Sequence, residues 1–496
     1  MTHDVTAARS SGRRILKNTA ALVVLRVLMP ALSMILVFAI SRILGTDGLG
    51  QYTLALTYLY FFVTVAPLGL YSIITRDGVQ HADRLEEILN HSVTLGTIAS
   101  LALTPAMAGL GPALGYDRDT AIAIAIASLA LLPSTRGMLY DGAFVARERM
   151  DYLACVALAE NAVKVGLAAP ALLLGYGLET VIVLAVAGRV VANVIATALL
   201  RSIGIRVRMG RKTELLKGLL GSAPTFVAIA IFATLYWRID VFMLSKMGTV
   251  EDVGRYGAAW RILELALVVP HSFCLSLYPQ LAAAVRSNRA ELARLGRLAM
   301  RFLAAGSLPL AAWTTVVSDD VMGTLYGTAF RSAGPTLTVL VWTLVPYGWV
   351  RYHAYVLVAA ELQRIDLAMN VTLTAINVAL NLYLIPAYGP WGAGLATLVS
   401  MLAYAVAQVA YLRRRAPGTS SPLTLNLIPL VAALAAAVLT WLTSGQHLAV
   451  RAVVPAAAYV GALFLGGFFE SEEIATLQRL GRRCRSMLPL RRATSS

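Results

Sequence analysis

The chain has 496 residues, of which 58% are hydrophobic and only 14% charged, with a formal net charge of +16 and a mean hydropathy of +0.71. A soluble domain carries about 25% charged residues, so this composition excludes a soluble enzyme and a disordered chain and points to a polytopic membrane protein. Three cysteines, Cys155, Cys274 and Cys484, offer neither a disulfide framework nor metal-ligand spacing.

Windows of roughly 20 apolar residues, the length that crosses a bilayer, recur about fourteen times. The first, 15–44, follows a basic leader with Arg13 and Arg14. A twin-arginine signal is excluded, because the apolar run is too long, no small-residue cleavage site follows, and further spans come at once. Spans at 51–75, 89–110, 120–145, 152–174 and 181–200 complete a first set of six. A strongly basic run, RSIGIRVRMGRKTELLK at 201–217, separates it from a second six at 219–244, 256–281, 302–317, 335–359, 367–385 and 391–412. Two more spans, 425–442 and 448–468, precede a basic tail. The predicted organisation is an N-lobe at 1–200, a cytoplasmic linker at 201–217, a C-lobe at 218–413, a helix pair within 424–468 and a tail at 469–496.

The two sets of six echo each other. LGTDGLGQYTLA is answered by GTVEDVGRYGAA, so that Gly50 and Tyr52 return as Gly254 and Tyr256, and ALLLGYGLETV around Tyr176 is answered by YLIPAYGPWGA around Tyr388. A duplicated unit joined by a basic linker is a construction common among transporters. With the amino terminus inside, 29 of the 42 cations fall in cytoplasmic segments and six outside, at Arg42, Arg118, Lys246, Arg255, Arg331 and Arg451. That bias sets both termini inside and attributes the basic charge to topology and anionic lipid, with no nucleic acid as partner. HADRLEEILNH and NRAELARLGRLAMR occupy equivalent places in the two halves. Their leucine spacing predicts short helices on the membrane surface.

Seven cations lie within spans: Arg26, Arg136, Lys164, Arg189, Arg238, Arg261 and Arg351. A charge at the centre of a span costs roughly 2.5–3.5 kcal/mol on insertion scales, so these side chains face protein or water rather than lipid. Four carboxylates share the spans, Asp141, Glu160, Asp240 and Glu264, which leaves an excess of three positive charges. Glu160 and Lys164, four apart, and Arg261 and Glu264, three apart, are placed to pair within their own helices. The remainder suits a phosphate-bearing or acidic-sugar head group in a cationic cavity, the alternative for each residue being an interhelical ion pair or a long side chain reaching the interface. Glu160, Asp240 and Glu264 are the candidates for ion coupling. Prolines near several of the cations, such as Pro30, Pro133 and Pro346, mark candidate kinks. No nucleotide-binding loop, HExxH, nucleophile elbow or CxxC is present, so neither catalysis nor a cofactor nor a bound metal is expected. Transport would draw on an ion gradient, the substrate's own gradient or a partner.

The opening LKNTAALVVLRVLMPALSMILVFAISRILGTDGLGQYTLAL, with Asn18, the corner from Arg42 to Gly45, Gly50 and Tyr52, resembles the first two helices of Wzx-type polysaccharide flippases. These belong to the multidrug/oligosaccharidyl-lipid/polysaccharide superfamily. WRIDVFMLSKM, VGRYGAAWRI and NVALNLYLIPAYGPWGAGLAT extend the likeness to about residue 412 through Asp240, Gly254, Tyr256, Asn377, Asn381, Pro386, Gly389, Gly392 and Ala396. The resemblance implies two six-helix lobes in a V that alternate between inward and outward openings. It also implies an undecaprenyl-pyrophosphate-linked oligosaccharide moved from the cytoplasmic to the outer leaflet of the bacterial cell membrane, with a polymerase and glycosyltransferases as candidate protein partners. A peptidoglycan-precursor flippase, a cation-coupled drug antiporter and a non-transporting scaffold of a polymerase complex are the alternative readings.

Overall fold

The computed structural model describes residues 28–415 and 427–469, and among them every regular element is a helix. In chain order these are α1 (Met29–Val65), α2 (Leu70–Gln80), α3 (Leu85–Ala113), α4 (Arg118–Ser128), α5 (Leu131–Ala146), α6 (Met150–Leu173) and α7 (Leu178–Ser202). After the basic run come α8 (Thr213–Met247), α9 (Val250–Ser287), α10 (Arg289–Tyr326), a 3-10 turn at Thr328–Ala333, α11 (Gly334–Trp342), α12 (Leu344–Ala359), α13 (Gln363–Arg415), α14 (Leu427–Leu442) and α15 (Leu448–Leu465). Among the described residues eight helices are long and apolar enough to cross a membrane, or nine if α4 and α5, bent by 41° at a short break, form one span. The all-α polytopic class expected from composition is therefore the observed one. The leader with Arg13, Arg14 and Asn18, the interior cation Arg26 and the tail from residue 470 lie outside the described residues.

Two of the long helices join predicted spans: α13 contains 367–385 and 391–412, and α1 joins the described part of 15–44 to the first part of 51–75, whose end falls in α2. α1 is helical throughout except at Gly45, with φ 71° and ψ −160°, and α13 except at Gly389, with φ 56° and ψ −133°. A side chain is strained at such positive φ, so glycine lets the chain turn there without a loop. The two predicted surface helices are corrected. LEEILNH is the first two turns of α3, and RAELARLGRLAMR runs without a break into the apolar part of α10. No proline interrupts either stretch before the apolar residues begin, and Gly296, the one glycine, lies within the continuous helix, so helix propagates through the junction. The predicted span at 335–359 divides near Thr343 into α11 and α12.

Local capping explains several turns. Between α8 and α9 the amide of Thr249 donates to Asp252 at 3.1 Å, and the amide of Asp252 donates to the Thr249 hydroxyl at 3.2 Å. This reciprocal box starts α9. Asp117 caps α4 by accepting from the Thr120 amide at 3.0 Å. Partial burial pushes its carboxyl up, but the bonds from Thr120 and neighbouring amides outweigh that and hold it below the ordinary aspartate range. The basic run after α7 is pinned along α3. The Asn90 side chain donates to the Arg206 carbonyl at 3.1 Å and accepts from the Arg208 amide at 2.8 Å, and His91 Nε2 accepts from the Lys212 amide at 3.1 Å.

The chain falls into two compact units. Unit 1 comprises Met1–Val269, Asp319–Leu340 and Leu367–Tyr404, as far as these are described, and unit 2 the stretches Pro270–Ser318, Val341–Asp366 and Ala405–Ser496. One apolar core of unit 1 joins α2, α3, α5 and α7 through Leu70, Ile74, Leu89, Leu139, Phe144 and Leu200. In unit 2 the α14–α15 hairpin is fastened to α10: Trp313 Nε1 donates to the Arg451 carbonyl at 2.8 Å and the Tyr459 hydroxyl to the Ala305 carbonyl at 2.8 Å.

A candidate cationic cavity in unit 1

Two hollows in unit 1 share Arg189, Arg261 and Glu264 in their walls. One, of about 460 Å³, lies among the first arm of α1 (Ser33, Met34, Val37), α6 (Glu160, Asn161, Lys164) and α9. The other, of about 300 Å³, is lined by the second arm of α1 (Thr53, Tyr60), α8 (Arg238) and α9 (Trp260). Volumes of this order are those of small-molecule sites, roughly 300–1,000 Å³. Four of the sequence-predicted cations, Lys164, Arg189, Arg238 and Arg261, thus line one continuous set of walls.

Their pairing differs from the sequence expectation in one respect. Arg261 Nη1 meets Glu264 at 3.0 Å, three residues on, as its spacing suggests. Glu160 instead pairs across helices with Arg189 at 2.8 Å, where Gly188 brings α7 close to the α6 backbone. Lys164 Nζ turns to Ser33, donating to its hydroxyl at 3.4 Å, and Ser33 in turn donates to Asn161 at 3.1 Å. Arg238 lies with its guanidinium carbon 5.3 Å from the Tyr60 ring centre. Among the described residues no carboxylate forms an ion pair with Lys164 or Arg238. The walls therefore hold four cations against two carboxylates, and two of the cations, Lys164 and Arg238, are not in direct ion pairs. Such an excess of cations is the chemistry an anion requires, and guanidinium groups match the paired oxygens of a phosphate.

The remaining predicted residues lie elsewhere. Arg136 donates to the Thr97 hydroxyl at 3.2 Å and lines neither hollow. Arg351 belongs to unit 2, where it bonds His271 at 3.1 Å between the rings of Tyr347 and Tyr355, 5.9 and 5.7 Å away. Asp240 is buried apart from the hollows and accepts three bonds, from the Tyr256 hydroxyl at 2.8 Å, Asn381 at 2.6 Å and the Thr397 hydroxyl at 2.8 Å. Asn381 continues the network to Asn377 at 3.0 Å, which donates to Ser400 at 3.1 Å. Tyr256, Asn377 and Asn381 stood in the sequence only as motif residues, and Ser33, Asn161, Tyr60 and Thr397 carried no signal.

A family model described as polysaccharide biosynthesis protein matches residues 15–285, more than half of the chain and all of the cavity. The chain belongs to this family. Two curated relatives of this polysaccharide biosynthesis protein come from Haloferax volcanii. The probable flippase AglR is 29% identical over 174 residues, 34% of this chain and 36% of AglR. The probable low-salt glycan biosynthesis flippase Agl15 is 25% identical over 194 residues, 38% of this chain and 40% of Agl15. The matched stretch thus spans well under half the length of either relative. Among solved structures, the lipid II flippase MurJ in an inward closed conformation superposes with a TM-score of 0.74 at 13% identity, covering 90% of this chain and 97% of that one. At that identity the likeness is one of fold.

Proposed function

We propose that this polysaccharide biosynthesis protein is a flippase that carries a polyprenyl-diphosphate-linked oligosaccharide from the cytoplasmic to the outer leaflet. The observation that carries the reading is the cavity of unit 1, with four cations facing two carboxylates in a protein of this family. A diphosphate needs charge-assisted donors to leave water, each worth about 1.5–3 kcal/mol, and Lys164 and Arg238 are the two cations with no carboxylate to satisfy. Arg189 and Arg261, already paired, can trade their carboxylates for phosphate oxygens as the head group arrives. The polyprenyl tail stays in the lipid throughout, so only the polar head requires a lined path. Binding and release on opposite sides follow if the cavity opens to one face at a time.

Two six-helix lobes, cytoplasmic termini and residence in the bacterial inner membrane belong to the same reading, as does work beside a polymerase and glycosyltransferases. No catalytic step is part of it. Asp240, whose carboxylate joins α8, α9 and α13, is the best-placed of the candidate coupling groups, since its occupancy by a proton or a cation would loosen or tighten three helices together.

The test is complementation of a strain lacking the gene. K164A and R238A, singly and together, should leave the protein in the membrane at normal abundance while surface polysaccharide falls and lipid-linked oligosaccharide accumulates on the cytoplasmic leaflet. Full export by the double variant would sink the proposal.

A further inference from the structure

The two repeats meet reciprocally at one end of unit 1. Residues 204 positions apart occupy matching places there: Phe38 and Phe242, Arg42 and Lys246, Thr46 and Val250, Gly50 and Gly254. α1 and α9 cross at the two glycines. A Cβ on Gly50 would lie 2.0 Å from the Val250 carbonyl oxygen, and one on Gly254 would lie 2.2 Å from the Thr46 carbonyl oxygen. The residue four positions before each glycine therefore presents its carbonyl to the other glycine, the arrangement a two-fold contact produces.

The cations beside the crossing repeat the exchange. Arg42, in α1, donates through Nε to the Leu325 carbonyl at 3.2 Å and through Nη2 to the Thr324 carbonyl, in the last turn of α10. Lys246, in α8, donates to the Leu114 carbonyl at 2.7 Å, at the end of α3, with its Nζ 3.2 Å from the centre of the Tyr116 ring. Thr324 and Tyr326 stand 210 positions after Leu114 and Tyr116, so these two helix ends are themselves counterparts. Aromatic contacts follow the same plan. The Phe38 ring packs 5.1 Å from Tyr326, while Phe242 packs 4.9 Å from Tyr58, whose hydroxyl lies 3.0 Å from that of Tyr116. In each repeat the first helix thus reaches across to cap a helix of the other.

Final carbonyls of a helix lack partners in the helix and carry the negative end of its dipole, so a cation is held there without a carboxylate. Bonds of this kind at an exposed end are weak one by one, and at the glycine crossing only small side chains, Val250 on Gly50 and Thr53 on Gly257, meet the facing helix. The set closes in register and can also part in register.

We propose that these reciprocal contacts form a latch that holds the outer end of unit 1 shut while the cavity is reached from the cytoplasm. The proposal rests on the transport reading above and on the orientation that puts Arg42 and Lys246 outside. It does not depend on the identity of the cargo.

The experiment places a single cysteine, T53C, in a C155S/C274A/C484S background, because Thr53 lines the cavity and lies against the Gly257 face of the crossing. Intact cells receive a membrane-impermeant maleimide, and parallel cells a permeant one. R42A and K246A should each raise the impermeant labelling rate about threefold and the double variant about tenfold, the size expected for exposed charges at helix ends. R42K and K246R should restore the parent rate. A double variant labelled from outside at the parent rate, with permeant labelling intact, would mean that the two cations merely cap helices, and the latch is overturned. Full impermeant labelling of the parent itself would overturn the orientation and the latch with it. If labelling responds as expected while K164A and R238A leave export untouched, the latch stands and the glycan reading falls.

Discussion

Unit 1 holds charge in its interior in two contrasting ways. Asp240 sits where three donors from α9 and α13 converge on one carboxylate, and its bonds are 2.6–2.8 Å long. The cavity cations are half-buried or exposed, two of them paired with carboxylates and two not. A charge that the protein satisfies completely joins helices, whereas a charge it leaves partly unsatisfied is available to something that comes and goes. The first arrangement should be read first in stability, a coupling role for Asp240 acting through that joint, and the second in transport alone.

The sharpest way to break the comparison is D240A. It removes three bonds at once, leaving the Tyr256 hydroxyl without its acceptor while Asn381 keeps Asn377 and Thr397 keeps the Ala393 carbonyl, and should cost about 3 kcal/mol, seen as a lower unfolding temperature of the detergent-purified protein. Retained stability would mean that the Asp240 network relaxes to other acceptors and that the two regions do not differ in kind. Next in size is G254A, whose methyl group would collide with the Thr46 carbonyl and should lose about 1–3 kcal/mol by the same assay. A neutral result would require the α1–α9 crossing to be looser than the structure has it. K164A and R238A should shift unfolding by less than about 0.5 kcal/mol, since neither breaks an ion pair, yet reduce export severalfold. The smallest effect belongs to E264Q. Its bond with Arg261 is partly solvent-exposed, so stability should change by about 0.5 kcal/mol or less, and export should hold or rise as Arg261 is released.

Hydropathy made the helical class and the approximate spans legible, because a bilayer demands long apolar runs whatever lies between them. The Gly50 and Gly254 echo was legible as a repeat, but the sequence could not say that the two residues touch. Arg261 and Glu264 could be paired from their spacing, since both lie on one helix face. Glu160 and Arg189 could not, because their contact depends on how closely α7 approaches α6. The convergence on Asp240 was hidden for the same reason: Asn381 and Thr397 lie 141 and 157 positions away along the chain. The two surface helices were misread because leucine spacing is the same in an amphipathic helix and in the wet first turns of a longer one. Arg351 and Arg136 show the limit of counting charges, as depth within a span does not tell which neighbours a side chain will find.

The joint at Gly45 gives the two hollows a common rocker. Ser33 and Val37 stand on one arm of α1, in the wall of the larger hollow, and Thr53 and Tyr60 on the other, in the wall of the smaller. No slack loop separates the arms, so, on the proposed function, a tilt imposed on one by the head group would be handed to the other through a single residue. Whatever occupies one hollow would then be felt in the other, so the two are filled as a pair and not as separate sites.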